Sequence, residues 1–417
     1  MLVKTILNRV QKFKHFVYDQ VDLIEAEGEI ALWVLLRPRK NSQAICSGCG
    51  HRRPGYDTLA PRRFEFVPLW GIRVFFVYAL RRVECPDCGV VVESVPWASG
   101  KNQLTETYRW FLARWARRLS WKETAESFRT SWENVFRSVK MAVVWGLEHR
   151  DLSGITAIGV DEISRRKGHK YLTLVYQIND GCKRLLWVGK DRTEESLRGF
   201  FDLLGEQRSL AIEFVCSDMW KPYLKVIAEK AKKALNILDR FHIAAQMNKA
   251  IDEVRAAESR RLKADGYEAV LTKTRWLLLK RPEHLTEKQE VKLAELLQYN
   301  LKAVRSYLLK EDFQRFWDYR LPYWAGLFLD QWCTRAMRSR IEPLKEIAGM
   351  LRSHKALILN WFKARGVISL GAVEGLNNKT KVTMRKAYGY RTFEAAETSL
   401  YHSLGDLPEP KGTHRFC

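Results

Sequence analysis

The sequence predicts a multidomain protein of mixed α+β and α/β class: a β-rich module, a helical module, and an α/β domain that a helical insertion interrupts. Three observations support this prediction. Runs of alternating apolar and polar residues surround two cysteine pairs in residues 1–99. Helical periodicity replaces this pattern in residues 100–150. Strands then alternate with helices from Ile155, and a long helical stretch begins at Ala244.

The composition indicates a large globular protein with a polyanionic partner. The chain has 417 residues, of which 46% are apolar. This length allows roughly two to four domains, each with its own core. The net charge of +23 comes from basic residues in every segment, so we expect a nucleic acid as partner. The alternative is that this charge only keeps the protein in solution.

No segment of the sequence is long and apolar enough to predict a membrane span, which needs about 18 uninterrupted apolar residues. Lysine and arginine also interrupt the apolar positions of the N-terminal MLVKTILNRVQKFKHF before the core of a signal peptide can form. We therefore expect a cytoplasmic protein without a membrane partner.

Four of the eight cysteines form two Cys-x-x-Cys pairs, the spacing of a structural zinc site. They are Cys46, Cys49, Cys85 and Cys88. Gly50 and Gly89 follow the pairs and allow tight turns that let two thiolates converge on one ion. The sequence thus predicts a Cys₄ zinc ribbon in residues 1–99, with His51 as a bystander. Unmetallated turns or redox-active thiols are the alternatives.

Basic residues dominate the segment around the cysteines. Ten basic residues and two acidic ones lie between Arg37 and Arg82, so we expect the ribbon to lie on phosphate groups. The arginines assigned to these contacts are Arg52, Arg53, Arg62 and Arg63.

Residues 100–150 show the pattern of three helices, with a turn at residues 130–131 before the last one. A helix-turn-helix module would place the start of that last helix in a major groove. We therefore assign DNA contacts there to Trp132, Asn134 and Arg137. The turn lacks glycine, and an ordinary three-helix packing unit is the alternative.

Five strand patterns follow in residues 151–243. The first three, ITAIGVD, KYLTLVYQI and KRLLWVG, form a meander. A helix over residues 194–204, the strand IEFVCS, a helix over residues 223–234 and the strand NILDRF complete a pattern that matches the ribonuclease-H-like fold. Residues 244–365 are predicted as an all-α insertion. The α/β domain resumes over residues 366–405, and residues 406–417 form a tail.

Acidic residues stand where these strands and a later helix could bring them together. Asp161 and Asp218 close apolar, β-branched runs, and an open sheet binds ligands at the carboxyl ends of its strands. Glu374 belongs to a helical pattern beyond the insertion. Carboxylates that lie close together bind Mg²⁺ or Mn²⁺, and two such ions roughly 3.5–4 Å apart support in-line phosphoryl displacement. An isolated aspartate at a strand end is more often a cap or turn residue.

Polar residues continue along the helix of Glu374. Glu374 is followed after four, seven and eleven residues by Asn378, Lys381 and Arg385. These spacings place all four side chains on one helical face, where the polar and basic ones could bind phosphate beside a metal ligand. A solvated helix face is the alternative. Glu162 is left out of the predicted site, because it follows Asp161 directly and adjacent strand residues point to opposite faces.

The order of these motifs resembles a known family of enzymes. Two Cys-x-x-Cys pairs, the helix-turn-helix-like segment, VDE, SDMW, ILDRFH, a long helical stretch, EGLNNKTK and RKAYGYR follow one another. Together they resemble the ISL3 family of insertion-sequence transposases in the DDE superfamily, over nearly the whole chain. The resemblance implies that Asp161, Asp218 and Glu374 are the catalytic residues and ligate Mg²⁺ or Mn²⁺.

The resemblance implies further features. Asp239 and His242 of LDRFH, with Asn378, would support the metal ligands, and helix capping by Asp239 is the alternative. The partners would be the terminal inverted repeats of the element and target DNA, bound by a homo-oligomer at the prokaryotic nucleoid. Some cut-and-paste transposases carry Tyr and Arg before the catalytic Glu. Val367 and Leu370 stand at those positions, so the sequence does not support the DNA contacts that Tyr and Arg make in that subgroup.

The predicted function is a DNA transposase that nicks DNA at the ends of its element and joins the freed 3′-hydroxyl to target DNA. No covalent protein–DNA intermediate is needed. One alternative is a zinc-ribbon and helix-turn-helix regulator without catalysis, and the presence of all three acids argues against it. The other is a metal-dependent nuclease of the same fold, which an assay for end joining would distinguish.

Overall fold

The chain divides into two units in the computed structural model. One comprises Met1–Asp151 and Val382–Cys417, and the other comprises Leu152–Lys381. The structure describes residues 3–26, 28–166, 170–267, 270–365, 371–387 and 389–411. Val367 and Leu370, considered above, lie outside the described residues. Among the helices described, none has the length and apolar character of a membrane span.

A β-sheet forms the N-terminal part of the first unit. Its elements are α1 (Val3–Val10), β1 (Phe16–Ala26), β2 (Glu29–Pro38), β3 (Ala44–Ile45), β4 (Arg52–Arg53), β5 (Gly55–Leu69), β6 (Ile72–Cys85) and β7 (Gly89–Val92). The sheet has the order β1-β2-β6-β5, with β7 beside β6, and β3 pairs with β4 separately. The antiparallel hairpins β1–β2 and β5–β6 lie within residues 1–99, where the alternating pattern predicts strands around the cysteine pairs.

Aromatic side chains form the core of this sheet. Trp97 is fully buried, and its ring centroid lies 4.9 Å from that of Phe16 and 5.3 Å from that of Tyr78. Phe66 stacks on Phe76 at 4.5 Å. Pairs at such distances contribute about 0.5–1.5 kcal/mol each beyond the burial of their area. This cluster therefore fixes the sheet from which the cysteine loops extend.

Three helices follow in the first unit: α2 (Glu106–Arg118), α3 (Trp121–Ser127) and α4 (Trp132–His149). Each is preceded by a capping residue, Thr105, Ser120 or Ser131, whose side-chain oxygen accepts a backbone N–H from the first turn of the helix. In the turn between α3 and α4, Arg129 adopts a left-handed backbone with φ of 50°. The turn lacks glycine, and Arg129 takes the left-handed conformation that glycine would otherwise supply.

The second unit contains a five-stranded sheet. Its elements are β8 (Ala157–Arg166), β9 (Lys170–Asn179), β10 (Cys182–Lys190), α5 (Glu194–Leu204), α6 (Glu206–Leu210), β11 (Phe214–Ser217), α7 (Lys221–Lys230) and β12 (Leu235–Leu238). The order is β10-β9-β8-β11-β12, antiparallel from β10 to β8 and parallel from β8 to β12. The five predicted strands are present. The sequence does not predict α6, because five residues are too few to show a helical period.

Helices fill the next part of the second unit. They are α8 (Arg240–Ala264), α9 (Arg275–Leu279), α10 (Glu287–Leu297), α11 (Lys302–Gln314), α12 (Pro322–Arg338), α13 (Glu342–Ser353) and α14 (Lys355–Ala364), with 3₁₀ turns at Pro282–His284 and Arg315–Asp318. No strand lies among the described residues of 244–365, as the sequence predicts. The Asn360 amide of α14 donates to the Asn236 carbonyl of β12 at 2.8 Å, so this helical region packs back against the edge strand.

The last helices are α15 (Ala372–Lys386) and α16 (Phe393–Leu404). Residues 366–405 are predicted to complete the α/β domain, but Val382 onward belongs to the first unit. There, α16 packs against α4, and the Glu394 carboxylate pairs with the Lys140 ammonium. Helical periodicity predicts that a helix exists but not which surface it covers, which explains this difference.

Substitution of Gly159 in β8 with alanine is expected to destabilise the second unit. A Cβ atom at this position would lie 2.3 Å from Val373 Cγ2 of α15. Overpacking of this kind lowers the free energy of unfolding by about 1–3 kcal/mol, which urea unfolding would measure. Adding Val373→Ala removes the clash and should recover part of the loss. Gly349→Ala, where a Cβ meets nothing within 4 Å, is the control. Wild-type stability of Gly159→Ala would contradict the packing.

Candidate functional site

Four cysteine thiols converge in the first unit. Cys46 and Cys49 lie between β3 and β4, whereas Cys85 ends β6 and Cys88 precedes β7. Their sulfur atoms all lie within 4.8 Å of one another, and the Cys49 and Cys85 sulfurs are 3.6 Å apart. A tetrahedral ion with metal–sulfur bonds of about 2.3 Å requires sulfur separations of about 3.8 Å. The four predicted ligands are therefore together, with a spacing that fits a metal ion.

The surroundings of the thiols also fit an ion. A Cβ on Gly48 would lie 2.7 Å from Cys88 Sγ, so only glycine leaves room for the sulfur there. Hydrogen bonds from the backbone and ring of His51 lower the pKa of Cys49 to about 6, which favours the thiolate. His51 thus contacts a ligand without belonging to the four-residue group. The thiols of Cys85 and Cys49 also hydrogen-bond Arg53, and these bonds raise the pKa of its guanidinium.

Three aspartates lie at one edge of the second unit's sheet. Asp218 directly follows β11, and Asp239 directly follows β12. The parallel pairing of β8 with β11 ends at Gly159, two residues before Asp161. The expectation that Asp161 closes its strand is wrong, because β8 continues to Arg166 in its hairpin with β9. Asp161 nevertheless lies just past the end of the parallel pairing, where the neighbouring strands bring Asp218 and Asp239.

Asp161 is buried and is held by several groups. Its Oδ1 accepts the backbone N–H of Glu162 at 2.7 Å and lies 3.9 Å from His242 Nε2. Its Oδ2 accepts a hydrogen bond from the Asn377 amide of α15. Burial raises the pKa of Asp161, and these contacts oppose the rise. The carboxylate is thus oriented by one strand and two helices.

The supporting asparagine is Asn377, not the predicted Asn378. Asn377 is buried, and its Oδ1 also accepts the Tyr176 hydroxyl at 2.9 Å, whereas Asn378 is exposed. Val373, Asn377 and Thr380 form the face of α15 that packs on the sheet. A buried face at i, i+4 and i+7 is the available sequence signal, whereas the prediction concerned the polar face that starts at Glu374, which is exposed.

Glu374, Lys381 and Arg385 are exposed on α15. Glu374 lies three residues before Asn377, which makes the two side chains neighbours on the helix surface. Asp161, Asp218 and Glu374 do not all lie within 4.8 Å of one another. In the described part of the chain, the cysteines are the only cluster of three or more metal-binding side chains within 4.8 Å.

Asp218 is fixed by two contacts. Its Oδ1 accepts the Trp220 backbone N–H at 3.0 Å, and its Oδ2 accepts from Arg192 Nη2 at 2.7 Å. The same Arg192 nitrogen lies 3.1 Å from Glu162 Oε1. The argument that leaves Glu162 out of the site does not anticipate this contact, because the turn after β10 brings Arg192 between Glu162 and Asp218. Burial, and next the negative charge of Asp218, raise the pKa of Glu162 to about 7.

Asp239 caps α8, since its carboxylate accepts the Phe241 backbone N–H at 2.9 Å. This is the capping role that the sequence leaves open. Burial raises its pKa, while the nearby charge of His242 lowers it and that of Asp218 raises it further. Asp239 therefore caps a helix and also adds negative charge beside the other two aspartates.

A basic cleft of about 650 Å³ lies in the first unit, between β5 and β6 and the start of α4. Its lining residues include Arg62, Arg63, Arg73, Arg129 and Asn134. Arg62 donates to the Asn102 carbonyl at 2.8 Å, so it also holds the loop before α2. The Arg63 guanidinium is exposed and lies 5.5 Å from the Trp33 ring centroid.

The remaining predicted DNA contacts differ in their surroundings. Arg52, Trp132 and Arg137 are exposed. Arg137 also lines a second cleft with Asn134, next to the first. Arg53 donates to the Asp87 carboxylate at 2.8 Å and is largely covered, so its role beside the cysteines is structural at least in part.

Known transposases are similar to this chain. A family model described as a transposase, of the DDE superfamily and ISL3 type, matches residues 158–400. The transposase for insertion sequence element IS1001 of Bordetella parapertussis is 28% identical over 397 residues, which cover 94% of this chain and 96% of the relative. The transposase for insertion sequence element IS1557 of Mycobacterium tuberculosis is 29% identical over 434 residues, with 96% and 95% covered. Residues 158–400 contain Asp161, Asp218 and Glu374.

Proposed function

The chain belongs to the ISL3 family of DDE transposases, enzymes that catalyse DNA transposition, and we propose how its parts divide this work. Residues 151–243 and 366–381 form a ribonuclease-H-like catalytic domain, interrupted by the helical insertion 244–365. Residues 1–99 form a zinc ribbon and residues 100–150 a helix-turn-helix module. The strand order β10-β9-β8-β11-β12 supports the first assignment. The short turn between α3 and α4 supports the helix-turn-helix.

Asp161, Asp218 and Glu374 are the proposed catalytic ligands of Mg²⁺ or Mn²⁺. The observation that carries this proposal is the family match over residues 158–400, together with the burial of both aspartates at one sheet edge. The all-oxygen donor set suits these hard cations. Such ions, when bound, activate the attacking oxygen and stabilise the leaving oxygen of an in-line displacement.

The other residues of the site orient ligands and DNA. Asn377 and the Trp220 N–H hold the carboxylates of Asp161 and Asp218 in fixed directions. Lys381 and Arg385 are exposed on the helix of Glu374, where they would bind the phosphates of the strand being cut. The cut leaves a 3′-hydroxyl, which then attacks a phosphate of the target DNA. No side chain needs to form a covalent bond to DNA.

The DNA ends of the element would bind across the basic cleft. Asn134 contributes to this cleft from the first turn of α4, where a helix in a major groove presents its base-reading residues. The arginines of β5 and β6 lie beside it and would bind the flanking phosphates. A homo-oligomer on the paired ends of the element would bring two such sites together.

A metal-dependent nuclease that does not join ends is the alternative function. It would use the same carboxylates and the same DNA-binding cleft. Incubation of a labelled 3′-hydroxyl end with plasmid DNA separates the two functions. Joined product supports the transposase, and cleavage without joining supports the nuclease.

Purified protein is expected to contain about one zinc ion per chain, held by the four cysteines. Cys49→Ser should lose this zinc and the folding of the cysteine loops, as measured by elemental analysis and thermal unfolding. Cys182→Ser, a partly exposed cysteine of β10 outside the group, is the matched control. Full zinc content in Cys49→Ser would refute the assignment.

Asp218→Asn is expected to reduce strand cleavage by roughly 10²–10³-fold or more, the range reported for removal of one group that stabilises a transition state. Binding to the ends of the element should be unchanged, because the cleft lies in the other unit. Asp202→Asn, which alters an exposed ion pair with Lys230, is the control. Cleavage at the wild-type rate would exclude Asp218 as a ligand. Lost binding with a lowered melting temperature would indicate misfolding instead.

Substitutions in the basic cleft are expected to separate sequence-specific from phosphate contacts. Asn134→Ala should weaken binding to the cognate ends by about 1–3 kcal/mol and leave binding to unrelated DNA unchanged. Arg63→Ala should weaken binding to both and reduce the salt slope by about one. Gel shifts at several salt concentrations measure both effects, with Arg9→Ala on α1 as control. Equal losses on both DNAs for Asn134→Ala would argue against base recognition.

A further inference from the structure

Arg192 links two carboxylates of the candidate catalytic site. Its Nη2 lies 2.7 Å from Asp218 Oδ2 and 3.1 Å from Glu162 Oε1. Its guanidinium carbon also lies 4.5 Å from the centroid of the Trp220 ring. One cation is thus bound by a proposed metal ligand, by a second carboxylate and by an aromatic face.

The turn between β10 and α5 fixes the backbone of Arg192. Asp191 has a left-handed backbone with φ of 64°, and its N–H donates to the Tyr171 carbonyl at 3.1 Å. Its carbonyl accepts the Thr173 hydroxyl at 2.7 Å. On the other side, Thr193 caps α5 by accepting the Ser196 N–H at 3.2 Å. Because both neighbours are fixed, the turn directs Arg192 to this site.

A guanidinium and a divalent ion cannot both occupy Asp218 Oδ2 without strong repulsion, since both carry positive charge. Binding of an ion at this oxygen therefore requires Arg192 to move. The Glu162 carboxylate can bind the displaced guanidinium of Arg192. Within the described parts of the chain, Glu162 Oε2 and Arg192 Nε are both buried without a hydrogen-bond partner. Pairing of these two atoms, beside the contact that Nη2 already makes with Oε1, would form a bidentate bond with Glu162.

We propose that Arg192 is a displaceable counter-cation of the catalytic carboxylates. It pairs with both Asp218 and Glu162 before a divalent ion binds, and it pairs with Glu162 alone when the ion binds Asp218. Glu162 is thus a positioning residue that acts through Arg192 and is not itself a metal ligand. The inference rests on the proposed role of Asp218 as a ligand.

Titration of the full-length protein with Mn²⁺ in the absence of DNA, with the cysteine site filled by zinc, tests this proposal. Arg192→Gln should bind Mn²⁺ about tenfold more tightly, because a charge at this range changes the proton affinity of a carboxylate by about tenfold or more. Arg198→Gln is the matched control. Arg198 is similarly exposed and also pairs with two carboxylates, those of Glu229 and Glu194, but lies outside the site. Unchanged or weaker binding in Arg192→Gln would overturn the proposal.

A double-mutant cycle tests whether Glu162 acts on Mn²⁺ binding through Arg192. Glu162→Gln leaves Arg192 with Asp218 alone and should weaken Mn²⁺ binding in the wild-type background. The same substitution should have a clearly smaller effect in the Arg192→Gln background. Equal effects in both backgrounds would mean that Glu162 binds the ion directly, and would refute its action through Arg192.

Two further variants keep the outcomes distinct. If wild-type protein and Asp218→Asn bind Mn²⁺ equally, or neither binds it, the proposed metal site itself fails. If Asp218→Asn loses binding while Arg192→Gln matches wild type, only the present inference fails.

Should Arg192→Gln have a lowered melting temperature, Arg192→Lys replaces it, because lysine keeps the charge without the planar fork. Its affinity for Mn²⁺ should exceed that of wild type, and an affinity equal to or below that of wild type would overturn the proposal.

Discussion

The crowding of carboxylates at one edge of the second unit's sheet is the constraint on which the candidate site depends. Burial raises the pKa values of Asp161, Glu162 and Asp239, because water solvates the negative charge of these carboxylates poorly here. Such charge requires counter-cations or hydrogen-bond donors. Arg192, His242 and the amide of Asn377 provide them, and each comes from a different element.

The position of α15 follows from the same constraint. Asn377 must approach Asp161, 216 residues earlier in the chain, closely enough to donate a hydrogen bond. Gly159 permits this approach, because a side chain there would strike Val373 one turn before Asn377. The hydroxyl of Tyr176 in β9 then bonds both Asn377 and Thr380. A glycine, an asparagine and a tyrosine therefore set how α15, the helix of Glu374, packs on the sheet.

Much of the fold is predictable because its signals are local. Apolar, β-branched runs predict strands of the second unit, and helical periodicity predicts the three helices α2, α3 and α4. The Cys-x-x-Cys spacing predicts the cysteine cluster without knowledge of the fold. The packing partners of helices are not local properties. For this reason the sequence predicts α16 as a helix but assigns it to the α/β domain, whereas it lies in the first unit. In α15 the sequence predicts the polar face that is exposed, but not the buried face that contacts the sheet.

The candidate site shows the same limit at the level of single residues. The argument that excludes Glu162 is correct for an isolated strand, since Asp161 and Glu162 do point to opposite faces. It fails because Asp218 lies beyond the end of β11, where strand alternation no longer fixes the direction of its side chain. The turn after β10 then brings Arg192 to the side of the sheet on which Glu162 lies. From this position Arg192 also donates a hydrogen bond to Asp218. Alternation along one strand therefore predicts which residues share a face, but the charges that meet at a sheet edge depend on the turns that lead into it.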